Sequence, residues 1–178
     1  MKDFKTLVQM RRSHRQYTNE KVSADDVRLI LRAALMSPSS HGRRAWHFAV
    51  TDDAETIAQL AVAKVSGGEF MKDAPLAIVV MGDPNTNECW IEDGAIAATM
   101  MQLQAEDLGL GSCWVQMRGH ALADGTPANK VIHQLMHLPD DQEVLFVVAV
   151  GHAADVRKPQ NEERLKWENV INQSSIEL

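Results

Sequence analysis

Along the first ten positions Phe4, Leu7 and Val8 repeat at helical spacing, and the pattern breaks at Tyr17-Thr18-Asn19. A helix that delivers Arg11 to a turn is predicted. Ser23, followed three residues later by Asp26, resembles a capping box, and Val27, Ile30, Leu31 and Ala34 give the next helix an apolar face. That helix ends at Ser37-Pro38, in the polar loop Ser37-Pro38-Ser39-Ser40-His41-Gly42-Arg43-Arg44. Trp46 to Thr51 then reads as a strand, Ala54 to Lys64 as a helix and Gly67-Gly68 as a breaker. Leu76 to Met81 and Val144 to Val150 are unbroken apolar runs rich in Val and Ile, so both are expected to be strands covered on two faces. Ser112 to Met117 reads as a third central strand.

Asp93 to Leu108 is apolar almost all round, through Ala95, Ile96, Ala97, Ala98, Met100, Met101, Leu103, Ala105 and Leu108. A helix of that kind must be buried, and one small sheet cannot cover all of it. A second copy of the chain is therefore expected against it, with Met100 and Met101 as interface packing. The segment Glu162 to Ile171 is either a helix or an extended arm, and the arm is favoured because Trp167 and Val170 require burial.

With 178 residues, 45% apolar and 24% charged, the chain has the size and composition of a single domain over positions 1–178, with 160–178 as the arm. Its longest central apolar run, Val144 to Val150, is far too short for a bilayer, and no charged-then-apolar leader precedes it. Two cysteines supply neither a disulfide framework nor a four-thiolate metal site. A cytoplasmic protein with no membrane partner is expected. The net charge of −6 hides an asymmetry, because residues 1–44 carry ten Lys/Arg against four Asp/Glu and the remainder eight against twenty. The basic residues are too few and too clustered to track a nucleic-acid backbone, but suit one small anion.

Arg11-Arg12-Ser13-His14-Arg15 offers guanidinium forks and a hydroxyl at a helix end, Ser39-Ser40-His41 offers donors on a loop, and Arg157-Lys158 offers cations beyond the last strand. Any one of these alone fits a solvated face; together they point to a phosphorylated ligand. With Ser37-Pro38-Ser39-Ser40 running into Trp46, Glu92-Asp93-Gly94 opening the Ala-rich helix, Ala105 through Trp114 and the Gly151 strand exit, the chain resembles the FMN-dependent nitroreductases. The likeness runs from about residue 7 to 170, with its motifs in order.

That resemblance implies an α+β fold, a mixed and mostly antiparallel sheet flanked by helices, in a homodimer with one FMN in each of two interface clefts. It places Arg11, Arg12 and Ser13 at the phosphate and ribityl chain, and Arg15 at the N1/C2-carbonyl edge of the ring. Ser39 and Ser40 approach from the other subunit, Gln116 and Met117 lie where a backbone N–H meets flavin N5, and Lys158 gives a further phosphate contact. The implied reaction is hydride transfer from NAD(P)H through the flavin to small conjugated acceptors, nitroaromatics or quinones, in a ping-pong cycle. It calls for no side-chain acid or base, and none is named. A fixed Arg15 would stabilise the negative charge that reduction places on the ring.

The chain departs from the family loop Ser-Ser-x-Asn-x-Gln-Pro-Trp, having His41, Gly42, Arg43, Arg44 and Ala45 before Trp46. Arg44 either contacts cofactor or substrate or turns outward, and His41 is a substrate-pocket candidate. Gly67 stands where larger members carry an Asn, and the long insert over the cleft is missing. His133 and His137, at i and i+4, lack a third ligand and read as an exposed face; no metal is expected. Gly109-Leu110-Gly111 reads as a helix C-cap rather than a dinucleotide loop, and Cys113 as a buried thiol. The rival readings are a flavin-dependent dehydrogenase or enoate-type reductase, a flavin carrier or sensor without turnover, and an anion-binding domain without flavin.

Overall fold

The computed structural model describes residues 3–176. Helix α1 (Phe4–Met10) begins where the Asp3 carboxylate accepts the Thr6 N–H, and ends as Arg11 leaves helical geometry. Helix α2 (Ala24–Leu35) carries the expected cap: the Ser23 hydroxyl accepts the Asp26 N–H at 3.1 Å and donates to the Asp26 carboxylate at 2.7 Å. There follow β1 (Trp46–Thr51), α3 (Ala54–Ala61), β2 (Leu76–Gly82), α4 (Trp90–Asp107), β3 (Gly111–Gln116), α5 (Ala128–Met136) and β4 (Glu143–Gly151). Short 3-10 turns lie at Ser40–Gly42, Glu69–Asp73, Glu162–Arg164 and Trp167–Asn169.

The strands stand in the order β1-β2-β4-β3, and every neighbouring pair is antiparallel. The parallel component is a single bridge, Ser13 to Ser112. β2 and, apart from Glu143, β4 are buried throughout, as their uninterrupted apolar runs require. Ile30 and Ala34 of α2 with Ala97, Ala98, Met101 and Ala105 of α4 pack on one face, against Ile78, Val80 and Val148. Ile57 and Leu60 of α3 with Ile132 of α5 cover the other, against Val79 and Val147. Helices thus sandwich the sheet, and the α+β architecture matches the expectation.

Several details differ from the pattern-based reading. β3 is an edge strand, not a central one; its alternation of buried residues with the half-buried Trp114 and Gln116 reflects that position. α3 stops at Ala61, three residues before Lys64, which turns toward β3 instead. α4 starts a turn early, at Trp90, because the Asn87 side chain accepts the Cys89 N–H at 3.1 Å and organises the approach. Within α4, Met101 is fully buried while Ile96 and Met100 remain 39% and 36% exposed, so one side of this apolar helix is uncovered. His137 caps α5 in the left-handed conformation, φ 52°, so it shares no helical face with His133, whose Nε2 lies 2.6 Å from the Gln142 carbonyl oxygen. Among the described residues no three His, Cys, Asp or Glu side chains cluster as a metal site. Gly109, φ 77°, follows the end of α4 as the expected cap residue. Residues 156–176 form an exposed segment with two 3-10 turns rather than a helix, and Trp167 and Val170 are exposed in it. No described helix is long and apolar enough to cross a membrane.

Candidate functional site

Past Arg11 the chain meets the outer edge of β3, the edge that faces away from β4, at Ser13, and by Tyr17 it pairs with Ala153 beyond the end of β4. Ser13 pairs with Ser112, and the His14 N–H donates to the Ser112 carbonyl at 3.0 Å. Further on, the Ala154 N–H donates to Gln16 and the Thr18 N–H to His152, both at 2.9 Å, which clamps the segment between β3 and the exit from β4. The approach is close enough to require glycine: a Cβ on Gly111 would stand 2.9 Å from the His14 Cβ and 3.0 Å from that of Ala153. The Tyr17 hydroxyl donates to the His14 carbonyl at 2.7 Å, and burial pushes its pKa far above the ordinary phenol value, so it stays a neutral donor.

His14 Nδ1 and Arg157 Nε converge on the two oxygens of Asp155, each at 2.7 Å. Burial works to raise the pKa of that carboxyl, but the hydrogen bond and charge of His14, then those of Arg157, outweigh it and hold the group below the usual carboxylate value. The Arg12 guanidinium donates to the Lys158 carbonyl. Lys158 thus meets Arg12 through its backbone oxygen, while its side chain is exposed. Arg15, also exposed, holds its guanidinium 5.7 Å from the centroid of the Phe70 ring.

Gln116 and Met117 behave differently from each other. The Met117 N–H donates to Leu145 O at 3.1 Å, joined there by the Arg118 N–H at 2.8 Å, so the Met117 amide has no donor left for a ligand. Antiparallel alternation turns the Gln116 N–H the other way, onto the outer edge of β3. The Gln116 side chain accepts from Trp114 Nε1 and donates to the Arg118 carbonyl, both at 3.0 Å. The backbone N–H of Gln116 is the fixed donor that this edge presents. Its carbonyl accepts from Lys64 Nζ at 3.0 Å, a contact that no local sequence signal marks. Cys113, beneath this edge, is buried, and burial pushes its thiol pKa up despite Arg15 and a Ser13 hydrogen bond, in keeping with an unreactive thiol.

Ser39, Ser40, His41 and Arg44 lie elsewhere. The Ser40 N–H donates to both oxygens of the buried Asp93, at 2.9 and 3.1 Å, and Asp93 also accepts from Asn87 Nδ2 at 2.7 Å. The Arg44 N–H donates to the Ser39 hydroxyl at 3.0 Å. His41 and Arg44 both adopt φ 52°, a left-handed conformation that costs non-glycine residues energy, and both are exposed. This loop feeds β1, at the opposite edge of the sheet from β3. Three strand spacings, about 14 Å, separate those edges, so a single chain does not unite the loop with Arg11–Arg15.

The Nitroreductase family model matches residues 8–67 and 60–152. A provisionally named NADH dehydrogenase/NAD(P)H nitroreductase of Archaeoglobus fulgidus is 28% identical over 180 residues, covering 94% of this chain and all of the relative. A relative with the same description from Methanothermobacter thermautotrophicus is 30% identical over 156 residues, covering 86% of this chain and 78% of its own length. The structure of an FMN-dependent nitroreductase from Clostridium difficile R20291 aligns with TM-score 0.91 at 39% identity, covering 94% of this chain and 98% of that one. A provisionally named nitroreductase of Desulfovibrio desulfuricans, solved in complex with FMN, aligns with TM-score 0.75 at 25% identity over 98% and 99% of the two chains. With a family match across most of its length, the chain belongs to the nitroreductase family.

Proposed function

We propose that this chain is an NAD(P)H-dependent flavin oxidoreductase that binds FMN, works as a homodimer and reduces small conjugated acceptors such as nitroaromatics and quinones. The observation that carries the reading is the docking of Ser13 and His14 on Ser112 at the outer edge of β3, the edge to which the Gln116 amide also turns. The donor set suits FMN. The Arg11 and Arg12 guanidinium groups and the Ser13 hydroxyl match a phosphate, and Lys158 adds a cation at the rim. The Gln116 N–H would offer a fixed donor to the flavin ring, and Arg15 would offer it a cation. FMN, when bound, supplies the atom that accepts and returns hydride, so the chain's own residues have only to bind, orient and exclude water. The Trp114–Gln116–Arg118 hydrogen bonds keep the β3 edge rigid for that purpose.

A dimer follows from the split between the two sheet edges: Ser39, Ser40, His41 and Arg44 reach a cofactor only when a second copy supplies them. The uncovered side of α4 around Ile96 and Met100 provides apolar surface for that contact. The exposed tail, with Leu165, Trp167 and Val170, provides an arm to lie across the partner. With FMN bound, a single site serving donor and acceptor in turn would make the cycle ping-pong. A reducing, cytoplasmic setting suits its two free cysteines.

The test is the visible spectrum of the isolated protein with added FMN, followed by anaerobic addition of NADH or NADPH. A flavin spectrum that bleaches, then recovers with a nitroaromatic or quinone and gives parallel-line initial rates, is the expected result. Bound flavin that no nicotinamide reduces would mean a carrier or sensor. Turnover confined to enones would mean an enoate-type reductase, and failure to bind FMN would leave an anion-binding domain.

A further inference from the structure

We propose that Lys64 is a second cation of the flavin-ring site, acting with Arg15 along the outer edge of β3 to favour the reduced cofactor over the oxidised one. The inference rests on the FMN reading above. Its basis is position. Lys64 Nζ donates to the outward carbonyl of Gln116 at 3.0 Å, on the edge of β3 where Ser13 pairs with Ser112, and the charge of Arg15 reaches Cys113 of the same strand.

One loop holds both cations. Lys64 begins it and reaches Gln116; Phe70 ends it and carries the Arg15 guanidinium on its ring. The path between them is tightly determined. The Gly67 N–H, at φ 80°, donates to the Glu69 carboxylate at 2.8 Å, and a Cβ on Gly68 would stand 2.6 Å from the Ala61 carbonyl oxygen.

A mere tether between the end of α3 and β3 requires no charge, yet Lys64 is only 9% exposed and its hydrogen bond goes to a neutral carbonyl. Burial pulls its pKa below the ordinary lysine value, and Glu69 offsets this in part. An ammonium held against a neutral carbonyl and partly desolvated gains from negative charge that arrives beside it. Two-electron reduction of a flavin brings that charge to the ring. A cation there binds the reduced form more tightly than the oxidised one, which is the same statement as a raised midpoint potential.

The experiment compares FMN-bound wild type with Lys64→Met, Lys64→Arg and Glu69→Gln, reading the midpoint potential by anaerobic titration against a reference dye, and the melting temperature of each. Lys64→Met should shift the midpoint negative, lowering the preference for reduced over oxidised FMN by about tenfold. Lys64→Arg should retain most of that preference. Glu69→Gln, which removes the offsetting carboxylate, should shift the midpoint positive. A Lys64→Met protein that melts lower with an unchanged midpoint would overturn the proposal and leave a structural tether. If Lys64→Met fails to hold FMN, the sign in Glu69→Gln decides, and an unchanged or negative shift overturns it. A wild type that takes up no FMN overturns the site reading itself, and this inference with it.

Discussion

Asp155 joins side chains that the chain keeps far apart, taking His14 from the N-terminal segment on one oxygen and Arg157 on the other. Because these contacts hold its pKa below the unfolded value of about 3.9, the ionised carboxylate stabilises the fold above that pH. That contribution fades as pH falls through the lower folded-state value. Asp155→Asn is therefore expected to cost about 1 kcal/mol near neutrality, with the gap from wild type closing in acid; denaturant unfolding at pH 7 and near pH 3 checks both. The sequence announces Arg11, Arg12, Ser13, Ser39 and Ser40 because their motifs are local. It does not announce the Asp155 pair, because 141 residues separate His14 from its partner. Lys64 escaped for a different reason: helical periodicity runs through it, whereas the helix ends at Ala61 and frees its side chain for β3. Met117 shows the limit of a motif, which marks a stretch of backbone without saying which amide faces the ligand.

At the scale of elements, the two apolar strands β2 and β4 are read correctly from pattern because burial on both faces of a strand leaves a plain signature. Strand order has no such signature, so β3 passes for a central strand although it forms the edge on which the site is built. What fixes the Arg11–Arg15 segment to that edge is the missing side chain at Gly111. Gly111→Ala should force His14 away from β3, costing about 1–3 kcal/mol of stability and weakening FMN binding by more than about tenfold, since Arg12 and Ser13 move with it. Thermal melting and flavin titration on the same variant measure the two effects.

For the whole molecule, half-sites at opposite edges of one sheet give a clear-cut expectation. An Arg11→Ala, Arg12→Ala chain and a Ser39→Ala, Ser40→Ala chain should each bind FMN poorly as homodimers. Mixed and allowed to exchange, they form heterodimers in which one cleft collects every defect and the other none. About a quarter of all clefts should then regain tight binding at random pairing, as read by flavin fluorescence quenching. No recovery on verified exchange would place both groups in one chain's site. The expectation of a second copy is legible in sequence only through α4, whose all-round apolar surface exceeds what its own sheet covers.

The tail carries a consequence of its own. Residues 158, 160 and 162 are pinned to the N-terminal segment, through the Lys158 carbonyl on Arg12, the Gln160 N–H on Gln9 at 2.8 Å and the Glu162 carboxylate on Gln9 Nε2 at 3.4 Å, while the stretch beyond is exposed. If association immobilises that stretch, subunit contact and coenzyme retention share one set of bonds, and each must strengthen the other equally. Such an enzyme should lose its yellow colour simply on dilution, with the midpoint concentration moving down when free FMN is raised.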